Sequence, residues 1–333
     1  MTEGAATAGG TPRRAALIYN PIKVDVDALR ALVVQSAADA GAAEPAFYET
    51  TVDDLGDGAA AQALSDGATA VLVAGGDGTV RAVSVALAGT GVPLTIVPSG
   101  TGNLLARNLS LPLQKPAAMV TSCFDGDTAQ IDVGALKLRR PDGTVDEEGF
   151  VVMAGIGLDA AMISHTNPDL KKAVGWVAYV DGAARALQNA APFKVSYRID
   201  GARSHTAKVH SVLFANCGQL QAGLALIPDA SITDGRLDIA VIQPDGWFGW
   251  LGVWRKIWWD NTVLRRFHAG RMIVDRRNDS SVRYLQGSGF ELRAEKAEPV
   301  EIDGDEFGEA TAVRCDIRHH ALTITVPHGH TCA

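Results

Sequence analysis

The chain has 333 residues, 47% of them apolar, and a formal net charge of −8. That length exceeds what one small core accommodates and predicts two domains. The acidic balance excludes nucleic-acid binding through bulk charge.

Residues 1–12 read as a disordered leader, without the basic and apolar regions of a secretory signal. No apolar run approaches the ~18 residues of a membrane span, so any membrane contact is expected to be peripheral. Cys123, Cys217, Cys315 and Cys332 lie far apart without CxxC spacing, which predicts reduced thiols in a cytoplasmic protein. Ala15 to Tyr19 is an apolar strand ending at Asn20-Pro21, a turn signal. Val26 to Ala40 carries helical spacing (Leu29, Leu32, Val33, Ala37) and stops at Gly41. Phe47 to Thr50 predicts a second strand and Ala59 to Leu64 a second helix. Val71 to Ala74 is the third strand, followed by the turn Gly75-Gly76-Asp77-Gly78-Thr79 and a helix from Val80 to Ala88 capped by Thr79. Leu94 to Val97 is the fourth strand, running through Pro98-Ser99-Gly100-Thr101-Gly102-Asn103 into a helix at Leu104 to Asn108. This alternation predicts a parallel sheet with helices on both faces, and ligands at the carboxyl ends of its strands.

After about Val133 strands follow strands: Ala135 to Leu138, Phe150 to Ala154, Phe193 to Ile199, Lys208 to Ala215, Leu237 to Ile242, Met272 to Val274, Ser281 to Leu285, Phe290 to Ala294 and Val300 to Ile302. They predict a mostly antiparallel β domain, with helices near Leu170 to Leu187 and Trp247 to Arg266. A last strand, Ala321 to Val326, suits either domain.

Glycine lets a phosphate approach backbone N–H groups and permits φ > 0, and a helix N-terminus adds positive potential. Two such turns at consecutive strand ends are much stronger evidence for a bound anion than one. No GxxxxGK stretch occurs, which excludes a P-loop, and neither turn has the GxGxxG spacing of a dinucleotide fold. The Asp229 to Asp238 stretch is either a plain Asp-Gly turn or a loop holding a hard cation through Asp234 and carbonyls. Glu301 to Glu306 is either a solvated acidic turn or the source of a general base or a Mg²⁺ ligand. Five of the six tryptophans fall between Trp247 and Trp259. Trp247, Trp250, Trp254 and Trp258 share one helical face, with Arg255 and Lys256 adjacent; this suits either a bilayer interface or packing on the β domain.

Gly75 to Thr79, Pro98 to Asn103, Gly155-Ile156-Gly157-Leu158-Asp159-Ala160, Asp234-Gly235-Arg236-Leu237-Asp238 and Asp303-Gly304-Asp305 resemble, in that order, the diacylglycerol kinase catalytic-domain family, which includes sphingosine-kinase-like enzymes. The resemblance spans roughly residues 14 to 327. It implies an α/β nucleotide domain like those of NAD kinases and phosphofructokinases (13–133 plus about 312–327) and a C-terminal antiparallel β-sandwich for the lipid (134–311). By the same resemblance Asn20, Pro21, Thr50, Thr51, Gly75, Gly76, Asp77, Gly78, Thr79, Gly100, Thr101 and Asn103 contact ATP. Asp234, with the carbonyls of Ser231 and Arg236, holds Mg²⁺. Asp305, Asp303 or Asp77 accepts the proton. Lys23-Val24, Arg81-Ala82 and Leu104 depart from the family's common glycine, Asn-Glu and aspartate.

The expectation is an ATP- and Mg²⁺-dependent kinase acting on a lipid hydroxyl, with diacylglycerol the first candidate. It would work in the cytoplasm and transiently at the inner face of the membrane, without a nucleic-acid partner and with a homodimer among its expected assemblies. The alternatives are a sphingoid-base or other lipid kinase, an NAD-kinase-like enzyme with a soluble substrate, and a non-catalytic lipid- or nucleotide-binding module.

Overall fold

A computed structural model of the chain describes residues 13–157, 191–218, 227, 230–243 and 282–330. In chain order the elements are β1 (Ala15–Tyr19), α1 (Val26–Asp39), β2 (Ala46–Glu49), α2 (Asp57–Ser65), β3 (Ala70–Ala74), α3 (Asp77–Leu87), β4 (Leu94–Ile96), α4 (Leu104–Asn108) and α5 (Pro116–Asp125). Ten strands follow: β5 (Asp127–Arg139), β6 (Val145–Phe150), β7 (Met153–Ile156), β8 (Phe193–Ile199), β9 (His205–Val209), β10 (Ser211–Ala215), β11 (Leu237–Ile242), β12 (Val282–Gly287), β13 (Gly289–Ile302) and β14 (Asp305–Val326). The chain divides into two compact units. The first holds residues up to Ser99, Pro112–Ala129 and Thr323–Thr331; the second holds Gly100–Leu111 and Gln130–Leu322. The leader at 1–12, the strand at Met272 to Val274 and the helices near Leu170 to Leu187 and Trp247 to Arg266 lie outside the described residues.

The first unit is a parallel sheet in the order β4-β3-β1-β2, and the end of β14 pairs parallel with β4 through Ile324 and Leu94. Both β1 and β3 are buried along their whole length, as strands covered on both faces must be. Leu17, Tyr19, Leu72 and Ala74 pack with Leu29 and Val33 of α1 and Val120 and Cys123 of α5. Helices α2 and α3 contact each other and the same strands. The side chain of Asp25 caps α1, accepting from the Ala28 N–H at 3.1 Å, which is why that helix begins one residue later.

The second unit is antiparallel, in the order β12-β11-β10-β7-β13-β14, with β8 and β9 added along β13 and β5 and β6 along β14. Its core takes alternate residues of each strand, among them Phe150, Phe214, Leu237, Phe290, Leu292 and Val313. Two expected strands, Phe290 to Ala294 and Val300 to Ile302, are one strand, β13. The apolar stretch at 321–326 is the end of β14, which is 22 residues long. The stretch Phe150 to Ala154 is not continuous: β6 ends at Phe150 and β7 begins at Met153. Among the described residues no helix is long and apolar enough to cross a membrane.

Candidate active site

In the first unit the parallel register brings several loops to one sheet edge. The Asn20 N–H donates to the Ala74 carbonyl at 2.8 Å, the Thr50 N–H to Tyr19 at 2.9 Å, and the Val97 N–H to Val73 at 2.8 Å. Asn20, Thr50 and Gly75 to Thr79 therefore follow directly from the aligned carboxyl ends of β1, β2 and β3, where α/β sheets bind ligands. The Asn20 Oδ1 accepts from the Ile22 N–H at 3.0 Å, which folds the Asn20-Pro21 turn back on itself. Thr50 is buried, and the Thr51 hydroxyl accepts from the Asp54 N–H at 3.0 Å.

Helix α3 begins at Asp77, with Gly76 as its N-cap and no capping side chain. This corrects the expectation that Thr79 caps a helix starting at Val80. Thr79 is the third helical residue, 4% exposed, and packs against Gly75. A Cβ on Gly75 would lie 2.7 Å from the Thr79 Cβ, whereas one on Gly76 would meet nothing within 4 Å. Neither glycine has positive φ. The first therefore lets strand and helix approach closely, and the second leaves open space before an uncapped helix. First-turn N–H groups have no intrahelical acceptor, and the helix dipole adds positive potential there. An anion is the complementary ligand. Asp77 sits half-buried at that end, and Arg81, one turn on, is buried at 7% exposure.

Gly100 to Asn103 belongs to the second unit. The Asn103 side chain closes this turn: its Oδ1 accepts from the Gly100 N–H at 3.1 Å and its Nδ2 donates to the Gly100 carbonyl at 2.7 Å. Asn103 is the N-cap of α4 and has φ 49°, a backbone state that asparagine tolerates better than most residues. Thr101 is exposed at the tip.

The Asp234 loop is tied to β5. The Asp132 N–H donates to the Ile232 carbonyl at 2.7 Å, and the Asp132 Oδ2 accepts from the Gly235 N–H at 2.7 Å. Asp234 is exposed; its Oδ1 accepts from the Arg236 N–H at 3.0 Å. One carboxylate oxygen and nearby carbonyls on a short turn suit a hard cation such as Mg²⁺. The Ser231 hydroxyl lies 3.4 Å from that of Thr233.

Asp303 and Gly304 form the two-residue turn between β13 and β14, with φ 49° and 93° and Ile302 opposite Asp305. Positive φ at both positions is the type I′ hairpin that Asp-Gly favours. The Asp303 carboxylate is 7% exposed. It accepts from the N–H groups of Val151 at 2.9 Å, Val152 at 2.9 Å and Met153 at 2.8 Å, holding the bend between β6 and β7. The neighbouring Cys217 thiol is pushed well up by burial and then by the Asp303 charge. Asp305 is exposed. The two carboxylates of the turn thus occupy opposite environments.

Asp132 is a feature that motif reading passed over. It is fully buried, and its one sequence signal is a lone acid inside the apolar alternation Ile131-Asp132-Val133. Trp247, Trp250, Trp254, Trp258, Arg255 and Lys256 lie outside the described residues. Cys123, Cys217 and Cys315 are unpaired and buried.

Comparison with known proteins agrees with this architecture. Residues 14–136 match the model of the diacylglycerol kinase catalytic domain, and residues 151–326 match that of the YegS C-terminal NAD kinase beta sandwich-like domain. A diacylglycerol kinase of Mycobacterium tuberculosis is 34% identical over 185 residues, a match covering 56% of this chain and only 58% of that protein. A protein of Pseudomonas fluorescens named "Probable lipid kinase YegS-like" is 32% identical over 274 residues, covering 80% of each chain. Among solved structures, a diacylglycerol kinase from Bacillus anthracis str. Sterne superposes with a TM-score of 0.67 at 19% identity, over 97% of this chain and 100% of that one. An NAD kinase from Archaeoglobus fulgidus in complex with ATP gives 0.52 at 13% identity, over 95% of each. At those identities the structural likeness speaks for the fold alone. Both halves of the sequence and the α/β-plus-β-sandwich fold lead to one conclusion: the chain belongs to the diacylglycerol kinase catalytic-domain family and carries that family's YegS-type C-terminal domain.

Proposed function

We propose that the protein is an ATP-dependent lipid kinase that transfers the γ-phosphate to a lipid hydroxyl, with diacylglycerol as the acceptor. The observation that carries this reading is the turn from β3 into α3: a buried strand, an open glycine at 76, and an uncapped helix of 11 residues with Asp77 at its first position. That end offers backbone N–H groups to a polyphosphate. The choice of diacylglycerol rests on the name of the mycobacterial relative.

Asn20, Thr50 and Gly76 to Thr79 bind the nucleotide. Asp305 takes the proton from the acceptor hydroxyl, because its carboxylate is exposed while that of Asp303 is occupied by three backbone N–H groups. Asp77 would hold Mg²⁺ beside the nucleotide, where the ion would neutralise phosphate charge, and the Asp234 loop would hold a separate, structural Mg²⁺. Phosphoryl transfer depends chiefly on such positioning and charge stabilisation. The tryptophan-rich segment, with Arg255 and Lys256, rests on anionic headgroups.

The test is incubation of the protein with γ-labelled ATP and, in parallel, dispersed diacylglycerol, sphingoid base, NAD and no acceptor. Label in the diacylglycerol product supports the proposal. Label in NAD, or turnover independent of lipid, overturns it. Asp77→Ala abolishes transfer while the protein still folds, as circular dichroism reads. Asp305→Asn lowers kcat by about 10²–10⁴, the usual worth of a general base.

A further inference from the structure

We infer that His319 and His320 on β14 form a second metal site, one for an imidazole-binding transition ion such as Zn²⁺, with Asp132 as its orienting residue. Consecutive strand residues normally point to opposite faces. Here His320 has φ 50°, and the two rings stack with centroids 3.7 Å apart and planes 27° apart. The left-handed residue thus brings two imidazoles together at the surface, where alternation would separate them.

Asp132 fixes one of those rings. Its Oδ1 lies 2.9 Å from the His319 Nδ1 and accepts the His320 backbone N–H at 2.7 Å. An oxygen already accepting from that N–H makes Nδ1 the donor, which assigns the proton to Nδ1 and leaves the Nε2 lone pair for a ligand. A carboxylate on the far nitrogen of a histidine is the usual outer partner of a metal-bound imidazole. The carboxylate is fully buried while the His319 side chain is 51% exposed, so the outer partner is sheltered and the ring can reach solvent. One donor atom from each of Asp132, His319 and His320 lies within 4.8 Å of the others. Two metal–nitrogen bonds of about 2.1 Å span at most about 4.2 Å, so the two rings turn their free nitrogens toward one another when the ion binds. Imidazole selects Zn²⁺, Ni²⁺ or Cu²⁺, whereas Mg²⁺ prefers oxygen, so this site is chemically distinct from the Mg²⁺ roles given to Asp77 and Asp234. Water completes the coordination, as expected of an exchangeable site.

The site is coupled to the Asp234 loop. Asp132 also holds the Gly235 N–H, and a Cβ on Gly235 would lie 2.9 Å from the His319 Nδ1. An ion that immobilises His319 therefore immobilises the turn carrying Asp234.

The experiment is calorimetric titration of the full chain with ZnCl₂, and separately with MgCl₂. It uses a background of His328→Ala, His330→Ala and Cys332→Ser, so that tail ligands do not contribute. One equivalent of Zn²⁺ binds, and 10-fold excess Mg²⁺ does not displace it. His319→Ala and His320→Asn each weaken binding at least tenfold, the asparagine retaining the left-handed backbone. Asp132→Asn weakens it about 10–100-fold. The His319 ring-proton NMR signals move with Zn²⁺ and not with Mg²⁺. Absence of Zn²⁺ binding in the background protein, equal affinity in the His319→Ala/His320→Asn double variant, or displacement by Mg²⁺ overturns the inference. Both histidines are exposed, so these variants fold even if Asp132→Asn does not, and no step depends on the kinase reading.

Discussion

Replacing Asp303 separates its structural role from the catalytic role proposed for Asp305. In Asp303→Ala three N–H groups, those of Val151, Val152 and Met153, lose their acceptor. Leaving a buried donor unsatisfied costs about 1–3 kcal/mol, so the sum runs from about 3 to 9 kcal/mol. The residue is 7% exposed, so entering water recovers part of this. Against that, alanine loses about 1 kcal/mol at φ 49°. The expected loss is about 3–5 kcal/mol. Asp303→Asn keeps the left-handed backbone and two of the three bonds, but it sets an amide N–H against that of Val151; about 1–3 kcal/mol is expected. Asp305→Asn, on the exposed side of the same turn, costs less stability than Asp303→Ala. Urea unfolding followed by tryptophan fluorescence reads this series, since all six tryptophans fall within the sequence of the second unit. An Asp303→Ala protein within 1 kcal/mol of its parent would show that the three bonds do not hold the β6–β7 bend, and the reasoning would fail.

Other positions give contrasts of the same kind. Gly75→Ala puts a methyl 2.7 Å from the Thr79 Cβ and costs about 1–3 kcal/mol in thermal stability. Gly76→Ala meets open space and is nearly neutral for stability, yet it raises KM for ATP because the methyl enters the proposed phosphate site. Equal effects of the two would refute the assignment. Burial pushes the Cys123 thiol from 9.0 up to about 11, so the folded first unit keeps a proton that the unfolded chain releases. Stability is therefore full below about pH 9 and falls as the pH rises toward 11, by up to about 3 kcal/mol. Cys123→Ala flattens this slope in melts run from pH 8 to 11. Trp250→Ala with Trp254→Ala reduces co-sedimentation with anionic vesicles; unchanged sedimentation would return that segment to the protein core.

Elements that are apolar throughout, such as β1 and β11, or that alternate plainly, such as β8, were legible in the sequence. β1, β8 and β11 have the boundaries that their apolar pattern predicts. β6 was missed because Asp146, Glu147 and Glu148 mask its strand character. It pairs with β5, where Glu147 meets Lys137, and Asp146 meets Arg140 just past the end of β5, contacts that only the fold supplies. Most of β14 was missed for a similar reason, since few of its residues before Leu322 are buried. In the site, the glycine turns were legible as motifs but their mechanics were not. Gly75 answers to a contact with Thr79 rather than to positive φ, and Thr79 is packed inside the helix rather than capping it. The three bonds to Asp303 join positions about 150 residues apart, and no local pattern encodes them. Asp132 is the same case, its partners lying at Gly235, His319 and His320.

The parallel pairing of Ile324 with Leu94 sets a schedule for biosynthesis. β4 emerges from the ribosome with its outer edge unpaired, and the strand segment that pairs with it is made 230 positions later. At about 5–20 residues per second that interval is on the order of 10–50 s, during which an apolar strand edge stands open to other nascent chains. A fragment ending before Thr323 never closes that edge. Fragments holding the first unit alone aggregate unless the 323–327 segment is supplied in trans or fused after Ala129.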